Sequence, residues 1–263
     1  MPLGTLVCFH AHPDDEVITT GGTIARAAAL GHRVVVVFAT RGELGLVPDD
    51  LGDETLGERR TREAREAAEL LGAHQVEYLG YQDSGMAGDP TNDDDGTFWT
   101  ADVDAAASRL ATILDREHAE VVTIYDDHGG YHHPDHIQVH RVGVLAAQLA
   151  TTPRVYEATA DADHFREQIA AIRDTIPPEV AAEMPQPEEF ENNFSPGELI
   201  TTRVDVRPYL ATKRAALALH SSQVDEASFF LSMPDEIFAA AFGTEWFIRR
   251  DAPPGTAETW LFP

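Results

Sequence analysis

One cysteine, one lysine and no long apolar run set the outer limits of this 263-residue chain. The lone Cys8 excludes an internal disulfide and points to a reducing compartment. Set in the apolar run LVCF, it reads as a buried strand thiol, not as a nucleophile or ligand. No stretch approaches about 18 consecutive apolar residues, so no membrane span is expected. The N-terminus lacks a basic region followed by an apolar one, so no secretory leader is expected either, and the expected location is cytoplasmic. Basic residues are scarce as well: 19 Lys and Arg against 45 Asp and Glu give a formal net charge of -26. Nucleic acid and anionic membranes are gripped through clustered Lys and Arg, which are missing here, so both are excluded as partners. Most of the acids read as a solvated surface.

What is present is an alternation. Short β-branched runs exchange with Ala- and Leu-rich helical stretches, the signature of βαβ units. The expected fold class is α/β: a Rossmann-like, mostly parallel sheet flanked by helices. LGTLVCFHA is a first strand, and HRVVVVFAT (32–40) a second, too uniformly apolar to be half exposed. HQVEYLG (74–80), AEVVTIY (119–125) and PRVYEAT (153–159) supply three more, with helices expected over 17–30, 56–71, 102–117 and 134–149. This Rossmann-like part runs to about residue 160; a C-terminal part, 161–250, is expected to complete the site and sheet of a single domain. It carries a strand near 200–206, a helix over 207–220 and a late strand, EWFIRR (245–250). The proline-rich, acidic stretch 174–198 reads as a loop excursion or lid, and NDDDG (92–96) as a solvated loop tip.

Two charged loops stand directly after strands one and four: FHAHPDDE (9–16) and DDHGGYHHPDH (126–136). In open parallel sheets ligands collect beyond the carboxyl ends of the strands, where both loops lie. His12 and Asp15 are three apart at a strand-to-helix turn, so both side chains can point to one side. His133 and His136 repeat that spacing, with Pro134 suited to a first helical turn. Two neutral imidazoles and a carboxylate with open positions would suit Zn2+ carrying water, and Fe2+ as well. Spacing does not choose among His132, His133, His136 and His140, three of which share a helical face. Asp14, Asp15 and Glu16 could equally do no more than favour the positive end of a helix dipole.

AHPDDE (11–16) with GGYHHPDHIQVH (129–140) resembles the two signature segments of the LmbE-like, or PIG-L, family of zinc-dependent N-acetylglucosaminyl deacetylases. TRGELG (40–45), YQDSGM (81–86) and KRAALALHSSQ (213–223) are similar to the branch holding two mycothiol-pathway enzymes. These are the inositol-linked N-acetylglucosamine deacetylase and the mycothiol S-conjugate amidase. The resemblance implies one Zn2+, or Fe2+ or another divalent ion, held by His12, Asp15 and His136. It implies Asp14 as general base and a protonated His133 facing the developing oxyanion. Tyr131 would help polarise the substrate carbonyl, Asp135 would orient or tune His133, and Arg60 and Asp83 would contact the sugar. His132 departs from the family pattern, where a small residue or proline is usual, and would crowd Tyr131 and His133. The implied activity is hydrolysis of a linear amide, removing the acyl group from a small N-acyl aminosugar. Cleavage of a mycothiol S-conjugate or another non-sugar amide is the alternative.

Other classes fit less well. A nucleotide-binding transferase would carry a G-x-G-x-x-G cradle after the first strand, and Gly21-Gly22 fall inside the helix, too late for it. A non-catalytic metal- or sugar-binding module would be expected to lose the base or a ligand, and every implied position is filled. A two-histidine, one-carboxylate iron oxygenase usually needs a β-barrel, which this alternation does not encode.

Overall fold

Two adjacent strands with almost no accessible side chain form the centre of the molecule. In the computed structural model, which describes residues 3–173, 192–224 and 228–263, β1 (Thr5–His10) is buried along its whole length. Its neighbour β2 (Arg33–Phe38) is buried from Val34 onwards. Strands covered on both faces need a helical layer on each side, and βαβ crossovers provide it. Between them lies α1 (Asp15–Ala29); α2 (Leu56–Leu70) then leads into β3 (Gln75–Tyr78), and α3 (Val103–Arg116) into β4 (Ala119–Tyr125). A single turn, α4 (Gly129–His132), and α5 (Pro134–Leu149) precede β5 (Arg154–Thr159). The remaining elements used below are α6 (Ala162–Arg173), β6 (Thr202–Asp205), α7 (Leu210–Leu219) and β7 (Thr244–Arg249).

The strands lie in one sheet, ordered β3-β2-β1-β4-β5-β7-β6. The first five pair in parallel, as the alternation predicts. β7 runs antiparallel to both β5 and β6, so the C-terminal part extends the same sheet at one edge. From β1 the chain builds outward through β2 and β3, then returns on the other side of β1 as β4. The carboxyl ends of β1 and β4 therefore flank the point where strand order reverses, which opens a crevice there. Both charged loops emerge into it.

Two features outside the crevice bind the C-terminal part to the rest. The Glu245 carboxylate, on β7, accepts from Lys213 Nζ at 2.7 Å and from the backbone N–H groups of Gly22 and Thr23 at 2.8 Å each. Lys213 and Glu245 are only 2% and 3% exposed. Gly22 meets Val206 so closely that a Cβ there would lie 2.4 Å from the valine Cβ. Cys8 is buried in β1, and burial pushes its thiol up to about 12, leaving it unreactive. No described helix is long and apolar enough to cross a membrane. Most of the proline-rich excursion, residues 174–191, lies outside the described residues. NDDDG begins in a short 3-10 turn, Pro90–Asp93, and stands exposed apart from its half-buried first residue Asn92.

Candidate metal centre and active site

The loop after β1 is built around one unusual backbone conformation. Asp14 has φ 106 and ψ -34, in the positive-φ region where glycine is normally required. Its N–H donates to Glu16 Oε2 at 2.8 Å, and its carbonyl accepts the N–H groups of Val17 and Ile18, starting α1. The bend folds Asp15 back over the loop: Asp15 Oδ2 accepts the His12 N–H at 2.9 Å and lies 3.4 Å from His12 Nδ1.

The loop after β4 uses Gly129 and Gly130, with φ of 66 and 63, to turn sharply. A Cβ at Gly129 would sit 2.6 Å from the Ile137 nitrogen, so only glycine lets α4 close against α5. His133 then caps α5, its Nδ1 accepting the Asp135 N–H at 3.1 Å, with Pro134 in the first turn. His136 follows within that turn, its ring stacked on Tyr125 at 4.5 Å between centroids. Its Nε2 lies 3.4 Å from Asp15 Oδ2.

The two loops converge. One nitrogen from each of His12, His133 and His136 falls within a 4.8 Å cluster, and all three residues are buried. Asp15 Oδ2 stands between His12 Nδ1 and His136 Nε2, 3.4 Å from each. Ligand atoms about 2.0–2.1 Å from one tetrahedral zinc are roughly 3.3 Å apart, which matches this spacing. His136 Nε2 is moreover buried with no hydrogen-bond partner, an arrangement that costs free energy unless a cation occupies the gap. Burial alone would lower His12, but the carboxylates of Asp135, Asp15 and Asp83 outweigh it and hold the imidazole well above its ordinary value. Three carboxylates gathered around one buried imidazole make a surrounding that favours positive charge. The residues present fit a divalent ion.

Asp135 acts on His133 through its backbone N–H and its charge, but its side chain turns to other partners. Its wholly buried carboxylate accepts from His12 Nε2 at 3.1 Å, from the Ser84 N–H at 3.0 Å and from the Ser84 hydroxyl. Its hydrogen bond to His133 runs from the backbone N–H. The side chain therefore orients His12, leaving Nδ1 of that ring to face Asp15, the arrangement by which an outer carboxylate fixes a ligand histidine. His133 differs too: burial, with the neighbouring His12 and His136, pushes it down to about 4, so the imidazole is neutral near pH 7. Because Nδ1 is an acceptor, its ring proton sits on Nε2, which remains a donor.

Arg60 and Asp83, expected at the sugar, brace the site loops. Arg60 is 4% exposed and donates to the carbonyls of Pro13 (2.6 Å) and Gly42 (2.7 Å) and to Asp14 Oδ2 (3.2 Å). Burial outweighs this ion pair and pushes the Asp14 carboxyl up to about 6. Asp83 accepts the N–H groups of Gly85 (2.9 Å) and Leu44 (3.2 Å), and its Oδ1 lies 3.5 Å from His12 Nε2. Tyr131 is 49% exposed at the rim, its ring 5.0 Å from that of His136. His132 does not crowd His133: with φ 64 it turns outward and donates to the Asn192 carbonyl at 2.8 Å. His140 is likewise outside the cluster, its Nδ1 donating to the Tyr125 carbonyl at 3.0 Å.

Several polar partners had no role in the sequence reading. Ser84 sits in YQDSGM and His220 in HSSQ, while Glu16 reads in sequence as a helix-dipole residue. Glu16 and His220 are 0% exposed and bonded at 2.8 Å. The one available signal was a polar run, HSSQ, that no helical face explains.

Residues 7–147 match the family model described as PIG-L, GlcNAc-PI de-N-acetylase. A protein of Thermomonospora curvata named 1D-myo-inositol 2-acetamido-2-deoxy-alpha-D-glucopyranoside deacetylase is 39% identical over 96% of this chain and 92% of its own length. Two solved structures share the fold. The conserved protein TT1542 from Thermus thermophilus has a TM-score of 0.60 at 21% identity, covering 96% of each chain. N,N'-diacetylchitobiose deacetylase from Pyrococcus horikoshii has 0.56 at 23%, covering 96% of this chain and 84% of that one.

Proposed function

This chain belongs to the PIG-L family, and from that premise we propose that it is a zinc-dependent N-deacetylase of an N-acetylglucosamine-type sugar. The ion would be held by His12, Asp15 and His136. The observation that carries this assignment is the partnerless His136 Nε2, aimed at the Asp15 oxygen that also faces His12. A divalent cation in that cradle supplies Lewis acidity toward water and toward the amide carbonyl oxygen.

The chain's own groups do the rest. Asp14, with a carboxyl pushed up to about 6, is ionised at neutral pH yet basic enough to take the proton of the attacking water, and returns it to the amine nitrogen as the C–N bond breaks. His133 Nε2–H donates to the oxygen that gains charge as the carbonyl becomes tetrahedral. Tyr131, at the rim, offers its phenol to the same oxygen. Arg60 holds the Asp14 carboxylate, and Asp135 holds His12. The substrate class follows the named relative: an acetylated glucosamine joined to inositol, a small neutral molecule compatible with a chain of net charge -26. A cytoplasmic location belongs to the same reading.

The test is release of free amine from inositol-linked N-acetylglucosamine, simple N-acetylglucosamine and a mycothiol S-conjugate, before and after chelation. Cleavage of the inositol-linked sugar, lost on chelation and restored by zinc, is expected. Cleavage of the S-conjugate alone would favour the amidase, and full activity without metal would overturn the proposed chemistry.

A further inference from the structure

The segment KRAALALHSSQ closes α7, and the reaction just described uses none of it. Its last four residues grip three different parts of the site wall. His220 Nε2 donates to Glu16 Oε1 at 2.8 Å. The Ser222 N–H donates to Glu63 Oε1 at 3.0 Å, and the Ser221 and Ser222 hydroxyls bond the same carboxylate on α2. Gln223 exchanges hydrogen bonds with the Leu46 backbone at 2.9 and 2.8 Å. Glu16 then passes the contact inward, its other oxygen accepting the Asp14 N–H at 2.8 Å.

We propose that Glu16 and His220 are positioning residues for Asp14, a relay that holds its backbone in the conformation its carboxylate needs. The relay rests on the reading of Asp14 as the group that takes the proton from water. Asp14 keeps a φ of 106, which a non-glycine residue retains only where its surroundings over-determine it. Arg60 fixes one end of the residue, at Oδ2 and at the preceding carbonyl. Glu16, wholly buried, fixes the other through a charge-assisted bond of the kind that is strong away from solvent. A carboxylate that is 0% exposed needs a donor of its own, and His220, also 0% exposed, supplies it. Without His220, Glu16 loses that donor and the restraint that points its second oxygen at Asp14.

The relay is tested on the metal-loaded full chain with E16A, E16Q, H220A and H220Q. E16A and H220A should lower kcat about 10–100-fold while KM and metal affinity, the latter by chelator competition, stay within about threefold. E16Q retains an acceptor for the Asp14 N–H and H220Q a donor for Glu16, so both should recover most of the loss. Independently of turnover, the Asp14 amide resonance should shift and lose exchange protection in E16A and H220A but not in E16Q. Unchanged kcat, metal affinity falling in step with kcat, or an unmoved Asp14 amide would overturn the relay. If the wild type cleaves no N-acyl sugar, the functional reading fails, and the amide signature still decides whether these residues hold Asp14.

Discussion

Replacing Asp135 with asparagine separates the observed role of that residue from the one its sequence position suggests. The carboxylate makes one bond to His12 Nε2, at 3.1 Å, and two to Ser84. Asparagine keeps the shape and one acceptor but removes the charge. Charge-assisted hydrogen bonds contribute about 1.5–3 kcal/mol and neutral ones about 0.5–1.5, so D135N forfeits roughly 1–1.5 kcal/mol at His12. Because His12 is a proposed ligand, that loss should appear as metal binding weakened roughly 5–15-fold. D135A, which also strands the Ser84 N–H, should approach 100-fold, the upper end of about 10–100-fold for such outer partners. The assay is competition for Zn2+ against a chromogenic chelator, followed by kcat at saturating metal, which should stay within about threefold of wild type because His133 keeps its backbone partner. Normal metal affinity with a large fall in kcat at saturating metal would refute the assignment and return Asp135 to His133.

Three other outcomes are expected. D14N should lower kcat by about 10²–10⁴ with metal stoichiometry unchanged by elemental analysis; loss of the metal would make Asp14 a ligand instead. K213M leaves Glu245 buried with only the two backbone donors, so urea unfolding should show about 3 kcal/mol less stability, the low end for a broken buried pair. K213M/E245Q should recover part of that, and a K213M loss under about 1 kcal/mol would mean the backbone N–H groups alone suffice. His32, 2% exposed, accepts the Gly4 N–H at 3.1 Å and stacks on Phe262, and burial lowers its pKa below the ordinary 6.5. A depressed histidine takes up its proton more readily when unfolded, so its contribution is complete above pH 6.5 and is lost as pH falls below that. H32Q, which keeps the acceptor, should flatten the change in urea midpoint between pH 7.5 and 5.5, and an unaltered slope would remove His32 from the account.

The parts of this fold legible in the sequence are those set by local pattern. Val34–Val37 has no polar alternation and so must be covered on both faces, which fixes a central strand. The i, i+3 spacing puts His12 with Asp15, and His133 with His136, on one side of each turn, but leaves the choice among four histidines open. Direction and partner choice were not legible where they depend on distant chain. EWFIRR reads the same for a parallel or an antiparallel strand, and only its pairing with β5 and β6 decides. Arg60 and Glu63 look like the solvated face of α2, yet they point inward because Asp14 and the HSSQ turn wait there. Asp135 sits two residues from His133, but its carboxylate is claimed by Ser84 from a loop 51 residues away. His140 shares a face with His136, but one further turn of α5 carries it under the Tyr125 carbonyl.

The bend at residue 14 sets what this enzyme can gain by becoming hardier. Holding a non-glycine residue at such a φ stores on the order of 1–3 kcal/mol, and a glycine there would release much of it. D14G releases that strain but leaves the buried Arg60 guanidinium without its carboxylate, so the melting point should move little while turnover is almost abolished. A screen scored on heat tolerance alone would therefore let this codon drift to glycine unseen, since the melt would not register the activity it loses.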